Sequence, residues 1–339
     1  MKNGITIGGS IFVDYLKKID FYPGEGMLSP IQSEDRSIGG CVGNTGISLK
    51  RLEPSMRVKA AGCVGKDDAG KYVLDVYKES KLDISEITEV SSTPTGYTDV
   101  FAAKSGTRTF FVNLGTNALF APGYINFDSL DTKMYHMGYI LLLTQMDSPD
   151  EQYGTVMARA LHEIQRRGIK TSIDIVSEDS DRFARIVTPS LRYCNYAIIN
   201  EIEAGRTVGI NPRNPDGTLI FESLPVICEK LLDLGVSDGV VIHCPETGIF
   251  MDKNKKWTGV RSRTLPDGFI KGSVGAGDAF CAGTLLGLYN DMSPVEFLQL
   301  ANAAAQGCLS SQSGTDGVGQ AAEMLKLYDG RSVPNEIWG

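Results

Sequence analysis

No run of about 18 apolar residues occurs in the 339-residue chain, and Met1 to Phe12 holds no charged segment followed by a long apolar core. Those absences argue against a membrane-spanning helix and a secretory leader, so the expectation is a soluble, cytoplasmic protein with no membrane partner. Seven cysteines, at 41, 63, 194, 228, 244, 281 and 308, show no C-x-x-C spacing, and their odd number and scatter indicate neither a disulfide framework nor a zinc motif. Basic residues are outnumbered, 33 against 41 acidic ones, for a net charge of −8. That balance leaves no footprint for nucleic acid and suits a small, neutral substrate. Internal repeats and low-complexity linkers are missing too, and Ser310 to Gly319 reads as a Gly/Ser turn rather than a boundary.

What is present is an ordinary globular composition, 42% apolar and 22% charged, within the range of one large α/β domain over 1–339. From Met134 onward, short apolar strands (Ile140–Leu143, Thr171–Ile175, Tyr196–Ile199, Gly239–His243) alternate with helical stretches such as Glu151–Arg167 and Leu224–Leu234. Alternation of this kind predicts βαβ units and a parallel sheet. Polar residues follow several of these strands, Gln145, Asp147, Asp174, Asn200 and Glu203 among them, at the sheet end where open α/β folds place ligands. Asp14 stands just beyond the first apolar strand, Ile5–Gly9.

The stretch richest in chemistry is Lys271-Gly-Ser-Val-Gly-Ala-Gly-Asp-Ala-Phe280, where a glycine-rich turn leads into an apolar helix over Ala279–Leu288. Main-chain N–H groups exposed at such a turn form an anion site. Asp278 lies in the first turn, where the helix dipole favours its ionised form. Amides that hold charge on a moving phosphoryl group, beside a carboxylate that accepts a hydroxyl proton, suit phosphoryl transfer to an alcohol. A second glycine cluster, Ser37-Ile-Gly-Gly-Cys-Val-Gly-Asn44, opens another helix, predicted over Asn44–Leu52. By contrast, Gly65-Lys-Asp-Asp-Ala-Gly-Lys-Tyr72 only mimics a nucleotide loop, because Tyr72 stands where a magnesium-binding hydroxyl is needed. It reads instead as a strand, Val58–Val64, turning into a helix, Ala69–Glu79.

Gly-Ala-Gly-Asp-Ala-Phe at 275–280 closely resembles the C-terminal signature of the PfkB/ribokinase family, and Gly-Gly-x-x-x-Asn ending at Asn44 resembles its N-terminal one. The resemblance covers nearly the whole chain. It implies a ribokinase-like three-layer α/β/α domain with a mostly parallel central sheet and a small β-strand lid, the lid strands coming from about 12–37 and 95–113. On that resemblance Asp278 is the general base, with Gly275, Ala276 and Gly277 forming the anion hole, and Asp14, Gly39, Gly40 and Asn44 bind substrate hydroxyls. Arg108, on a hairpin turning at Lys104-Ser105-Gly106, lies on or near the lid, and Asp147 faces the sugar. Asn200 and Glu203 match the family's Asn-x-x-Glu motif, with Glu203 holding Mg2+ through water beside the phosphates of ATP; the same spacing is also a helix-capping pattern. Asn302 is implied as a nucleotide contact. Two copies would pair through the lid as a homodimer.

Two departures stand out. Gly272 and Val274 lack the oxygen side chains that bind a monovalent cation in ribokinase-like proteins, so potassium activation is expected to be weak or absent. His243-Cys-Pro-Glu-Thr-Gly248 replaces the family's Thr-x-Gly-x-x-Gly beside the ATP phosphates, and Pro245 has no N–H to offer there. The sequence therefore predicts ATP-dependent phosphotransfer to a primary hydroxyl of a sugar or sugar-like molecule. A nucleoside kinase of the same fold and a sugar-binding sensor with impaired catalysis are the alternatives.

Overall fold

The structure, a computed structural model, describes residues 2–178, 181–329 and 337–338. The chain opens with β1 (Ile5–Gly9), β2 (Phe12–Ile19), β3 (Ile31–Gly39) and α1 (Gly40–Leu52), then β4 (Val58–Gly65), α2 (Asp68–Glu79) and β5 (Asp83–Val90). Next come β6 (Tyr97–Ala103), β7 (Arg108–Asn113), β8 (Met134–Ile140), the two-residue β9 (Pro149–Asp150) and β10 (Gly154–Thr155), and α3 (Val156–Gln165). The second half holds β11 (Lys170–Ile175), α4 (Phe183–Leu191), β12 (Tyr196–Asn200), α5 (Glu201–Val208), α6 (Ser223–Asp233) and β13 (Gly239–His243). It continues with β14 (Thr247–Asp252), β15 (Trp257–Arg261), α7 (Ala276–Tyr289), α8 (Pro294–Leu309), α9 (Ala321–Asp329) and β16 (Ile337–Trp338).

Ten strands form one sheet in the order β16-β15-β14-β13-β12-β11-β8-β1-β4-β5. From β5 to β13 neighbouring strands run parallel, and β14 to β16 add an antiparallel edge. The central parallel strands β12 and β13 are apolar on both faces, as burial between two helical layers demands, whereas the edge strand β5 is polar and only half-buried. Ile198 and Val241 point into the core shared with α1, α7 and α8, while Ile199 and Ile242 point into the core shared with α3, α4 and α6. The arrangement is a three-layer α/β/α fold. Four further strands make a separate sheet, β3-β2-β6-β7, whose edge strand β7 leaves Phe110, Phe111 and Val112 exposed.

The chain runs outward from β1 through β4 to β5, then returns to β8 on the other side of β1 and continues to β13. A crevice therefore opens at the C-terminal ends of β1 and β8, the switch point at which open α/β sheets bind ligands. Glycine is required there: Gly9 pairs with Gly138, and a Cβ on Gly9 would sit 2.4 Å from the Gly138 carbonyl oxygen.

Several boundaries differ from those expected. The apolar run Ile140–Leu143 is not a strand: β8 ends at Ile140, Leu141 is left-handed with φ 88°, and the Asp147 carboxylate accepts the amides of Leu141 and Leu143 to close a turn. The helix expected over Glu151–Arg167 begins only at Val156, because Gly154 turns the chain at φ 88° and the Thr155 hydroxyl caps Ala158 N–H. α1 starts at Gly40, four residues before the expected Asn44. A side chain at Gly40 would press on the Ser10 carbonyl oxygen, 2.5 Å from the Cβ position.

Candidate active site

α7 begins after Gly275, which adopts φ 78°, and a Cβ there would lie 2.4 Å from the Gly314 carbonyl oxygen. Both constraints admit glycine and little else. The turn brings the first-turn amides of α7 to the crevice and sets Asp278 on the wall of a cavity of about 250 Å3, lined also by Tyr139, Asp174, Asn200, Glu203, His243 and Gly277. Asp278 is only 5% exposed. Its Oδ2 accepts hydrogen bonds from Asn44 Nδ2 at 3.1 Å and Tyr139 Oη at 2.9 Å, and its Oδ1 accepts one from Thr45 Oγ1 at 3.2 Å.

The carboxyl group is thus more enclosed than its helix position suggests. Burial, and then the negative charge of Asp174, push its pKa up to about 7, against the pull of the three hydrogen bonds. Burial thus outweighs the helix dipole, which on sequence grounds favours the ionised form. Asp278 is instead poised between its two protonation states at neutral pH, the range in which a general base works best.

Nothing in the sequence pattern marks Tyr139 or Thr45. Tyr139 reaches Asp278 because it adopts φ 62° just past Gly138, a conformation that costs a bulky residue about 1–3 kcal/mol and persists only where its surroundings enforce it. Here the Tyr139 amide donates to Asp174 Oδ1 at 2.5 Å while its hydroxyl donates to Asp278. Asp174, at the C-terminal end of β11, was visible in the sequence only as one polar residue after a strand.

Asn200 and Glu203 form a complete capping box at the start of α5. Ser177 Oγ donates to Glu203 Oε1 at 2.7 Å, and the Asn200 amide donates to Oε2 at 3.2 Å. Burial, with Asp174 adding to it, raises Glu203 to about 8. The two residues therefore start the helix and line the cavity at once. The motif's hard oxygen donors and the adjoining cavity fit a hydrated divalent ion held through water.

A second cavity of about 700 Å3 adjoins the first and is walled by His243, Pro245, Leu265, Ile270, Phe280 and Asn302, with Gly277 between the two. Its mostly apolar wall suits a flat heterocycle. The His243 ring stacks on Phe280, centroids 4.8 Å apart, and burial lowers its pKa to about 4, leaving it neutral at physiological pH. Asn302 donates to the Val260 carbonyl at 3.2 Å and is buried in the wall.

The profile of the pfkB family of carbohydrate kinases matches residues 7–320. The chain belongs to that family. A ribokinase from Arabidopsis thaliana is 22% identical over 95% of this chain and 80% of its own length. The structure of Arabidopsis thaliana ribokinase complexed with ribose and ATP superposes with a TM-score of 0.79 at 18% identity, over 97% of this chain and 99% of that one. The nucleoside kinase of Methanocaldococcus jannaschii, an archaeal member of the ribokinase family, does so with a TM-score of 0.73 at 15% identity, over 96% and 99%. At these identities the structural likeness speaks for the fold, which is ribokinase-like.

Within this carbohydrate kinase not every residue marked in the sequence reaches the crevice. Asp14 does stand in a tight place: it is half-buried on β2, burial raises its pKa to about 6, and a Cβ on Gly39 would collide with its carboxylate at 2.3 Å. Asp147 instead accepts the amides of its own turn, one on each oxygen, and lines neither of the two cavities. Arg108 pairs with Ala102, four positions along β6 from the Thr98 that pairs with Asp14, roughly 13 Å at about 3.3 Å per residue. Gly248 lies inside β14, opposite His243, where a Cβ would approach Phe280 to 2.8 Å; its smallness makes room for the ring that lines the larger cavity.

Proposed function

We propose that this carbohydrate kinase transfers the terminal phosphoryl group of ATP to a primary hydroxyl of a sugar or sugar-like molecule, with Asp278 as general base. The observation that carries the reading is the asymmetry of that carboxylate. Oδ2 already accepts two hydrogen bonds and Oδ1 one, and a carboxylate oxygen has room for two. Oδ1 therefore keeps a lone pair for the acceptor alcohol, while Asn44, Thr45 and Tyr139 fix the plane in which it is offered.

In the ionised form Asp278 takes the hydroxyl proton as the oxygen attacks. The amides of Gly277 and Asp278, at the positive end of α7, stabilise the charge on the moving phosphoryl group, joined by that of Ala276 when it leaves the Ser273 carbonyl it faces at 3.4 Å. The apolar cavity between Phe280 and Leu265 receives the adenine ring, with Asn302 at its wall, and neutral His243 closes the side next to Gly277. Asn200 and Glu203 would hold a hydrated Mg2+ through water, which supplies charge neutralisation at the phosphates. Asp14, Asn44 and the main chain at Gly39 and Gly40 bind the remaining hydroxyls of the acceptor. The exposed Phe110, Phe111 and Val112 on the edge strand β7 support closure of the four-stranded sheet over the acceptor and its pairing with a second copy, which light scattering reads as a doubled mass.

A panel of free sugars and nucleosides with ATP, read as ADP release, tests the acceptor class. Turnover with one or more sugars is expected. Turnover confined to nucleosides would move the assignment to the second acceptor class.

A further inference from the structure

Beside the reacting carboxylate lies a cluster to which the proposed phosphotransfer gives no role. His136 from β8, Asp174 from β11 and Cys281 from α7 are all buried, and one ligand atom from each lies within 4.8 Å of the other two. They come from three elements far apart in sequence, so no spacing rule could have shown them together. Their separations are specific: His136 Nε2 stands 3.4 Å from Asp174 Oδ2 and 3.6 Å from Cys281 Sγ.

The first of these is too long for a good N–H···O hydrogen bond, which falls at about 2.7–3.2 Å. They match two edges of a tetrahedron around zinc, and the third, from the Asp174 carboxylate to Cys281 Sγ, lies within 4.8 Å and closes to about 3.6 Å when an ion binds. Metal distances of about 2.3 Å to sulfur and about 2.0–2.2 Å to nitrogen and oxygen put sulfur and nitrogen about 3.6 Å apart, and nitrogen and oxygen about 3.4 Å apart. The supporting contacts of a metal site are also in place. Ser172 Oγ lies 2.9 Å from His136 Nδ1, fixing the ring, and the Tyr139 amide donates to the other Asp174 oxygen at 2.5 Å. Asp174 and Cys281 line the same 250 Å3 cavity as Asp278, which leaves a fourth coordination position facing the crevice.

We propose that His136, Asp174 and Cys281 form a three-ligand site for a zinc-class divalent ion beneath the catalytic carboxylate. His136 Nε2, one Asp174 oxygen and the Cys281 sulfur bind the ion, and the thiol proton leaves to solvent on binding. The mixed nitrogen, oxygen and sulfur donors select zinc or cobalt over magnesium, which takes oxygen ligands. Occupation places a doubly charged ion close to Asp278 on the wall of the crevice that the phosphoryl group would cross, so zinc inhibits. The inhibition rests on the kinase reading above, whereas the binding does not.

The test is cobalt titration of the full-length, chelator-treated protein, followed by absorbance. A sulfur-to-cobalt charge-transfer band with intense visible bands is expected at one equivalent, lost in Cys281→Ser and retained in Cys308→Ser. Zinc affinity, measured by competition with a chromophoric chelator, should fall at least tenfold in Cys281→Ser and in His136→Gln. Should either variant fail to fold, zinc X-ray absorption on the wild-type protein decides, with one sulfur and several nitrogen or oxygen neighbours expected. Absence of a sulfur neighbour, absence of the charge-transfer band from the wild type, or survival of that band in Cys281→Ser overturns the assignment, whatever the kinase assays show.

Discussion

Replacing Asp278 by Asn removes one proton-accepting oxygen and little else. The amide is nearly isosteric: its oxygen can still accept from Asn44 and Tyr139, and its NH2 can donate to the Thr45 hydroxyl, which now accepts rather than donates. Folding and ligand binding should therefore survive. Catalysis should not, because loss of a general base costs about 10²–10⁴ in rate, equivalent to about 2.7–5.4 kcal/mol of barrier at about 1.36 kcal/mol per decade. Because burial holds Asp278 near pH 7, wild-type kcat/KM should also rise with pH through that value as the carboxylate ionises and level off above it. ADP release under saturating ATP and sugar measures kcat for both proteins, calorimetry measures sugar affinity, and a pH series at limiting sugar gives the kcat/KM profile. The expected pattern is a fall in kcat of at least a hundredfold, sugar affinity within a few-fold, and no step near pH 7 in the variant. A variant within tenfold of wild-type turnover, or one with an unchanged pH step, refutes the assignment of Asp278 as base.

Three further outcomes follow from the same geometry. Tyr139→Phe removes a hydrogen bond that pulls the Asp278 pKa down, so the pH step should move to higher pH and turnover at pH 7 should fall several-fold; an unmoved step contradicts the contact. Glu203 is held near 8 by burial, against 4.5 for the free group, so the native state binds the extra proton and stability should fall as pH rises between these values, by up to about 1.4 kcal/mol per unit. Glu203→Gln keeps the capping pattern and should flatten that fall in denaturant melts at pH 5 to 8. Replacing sodium with potassium should leave turnover nearly unchanged, since Gly272 and Val274 offer no side-chain oxygens and the Val274 and Gly314 carbonyls already accept the Cys308 thiol; a large potassium activation contradicts this.

Much of the architecture could be read from local pattern. Thr171–Ile175, Tyr196–Ile199 and Gly239–His243 are apolar runs bounded by polar residues, and they form β11, β12 and β13 with boundaries shifted by no more than one residue. The turn before α7 was legible because its glycines answer a steric demand at the turn itself. Ile140–Leu143 misled because an apolar run carries no sign of a left-handed Leu141, a conformation imposed by the Asp147 turn. Tyr139 and Thr45 were invisible for a related reason: each becomes a partner of Asp278 only when β8, α1 and α7 meet at one crevice. The upward shift of Asp278 has the same origin, since it needs both the enclosure and the Asp174 charge delivered by β11.

Mass spectrometry of the products formed from ATP and a sugar mixture tests the central claim most directly. A phosphorylated sugar, modified at its primary hydroxyl, should accumulate with the wild-type protein and be nearly absent with Asp278→Asn. Sugar that binds and raises the melting temperature while no phosphorylated product forms would contradict the account and point to a sensor.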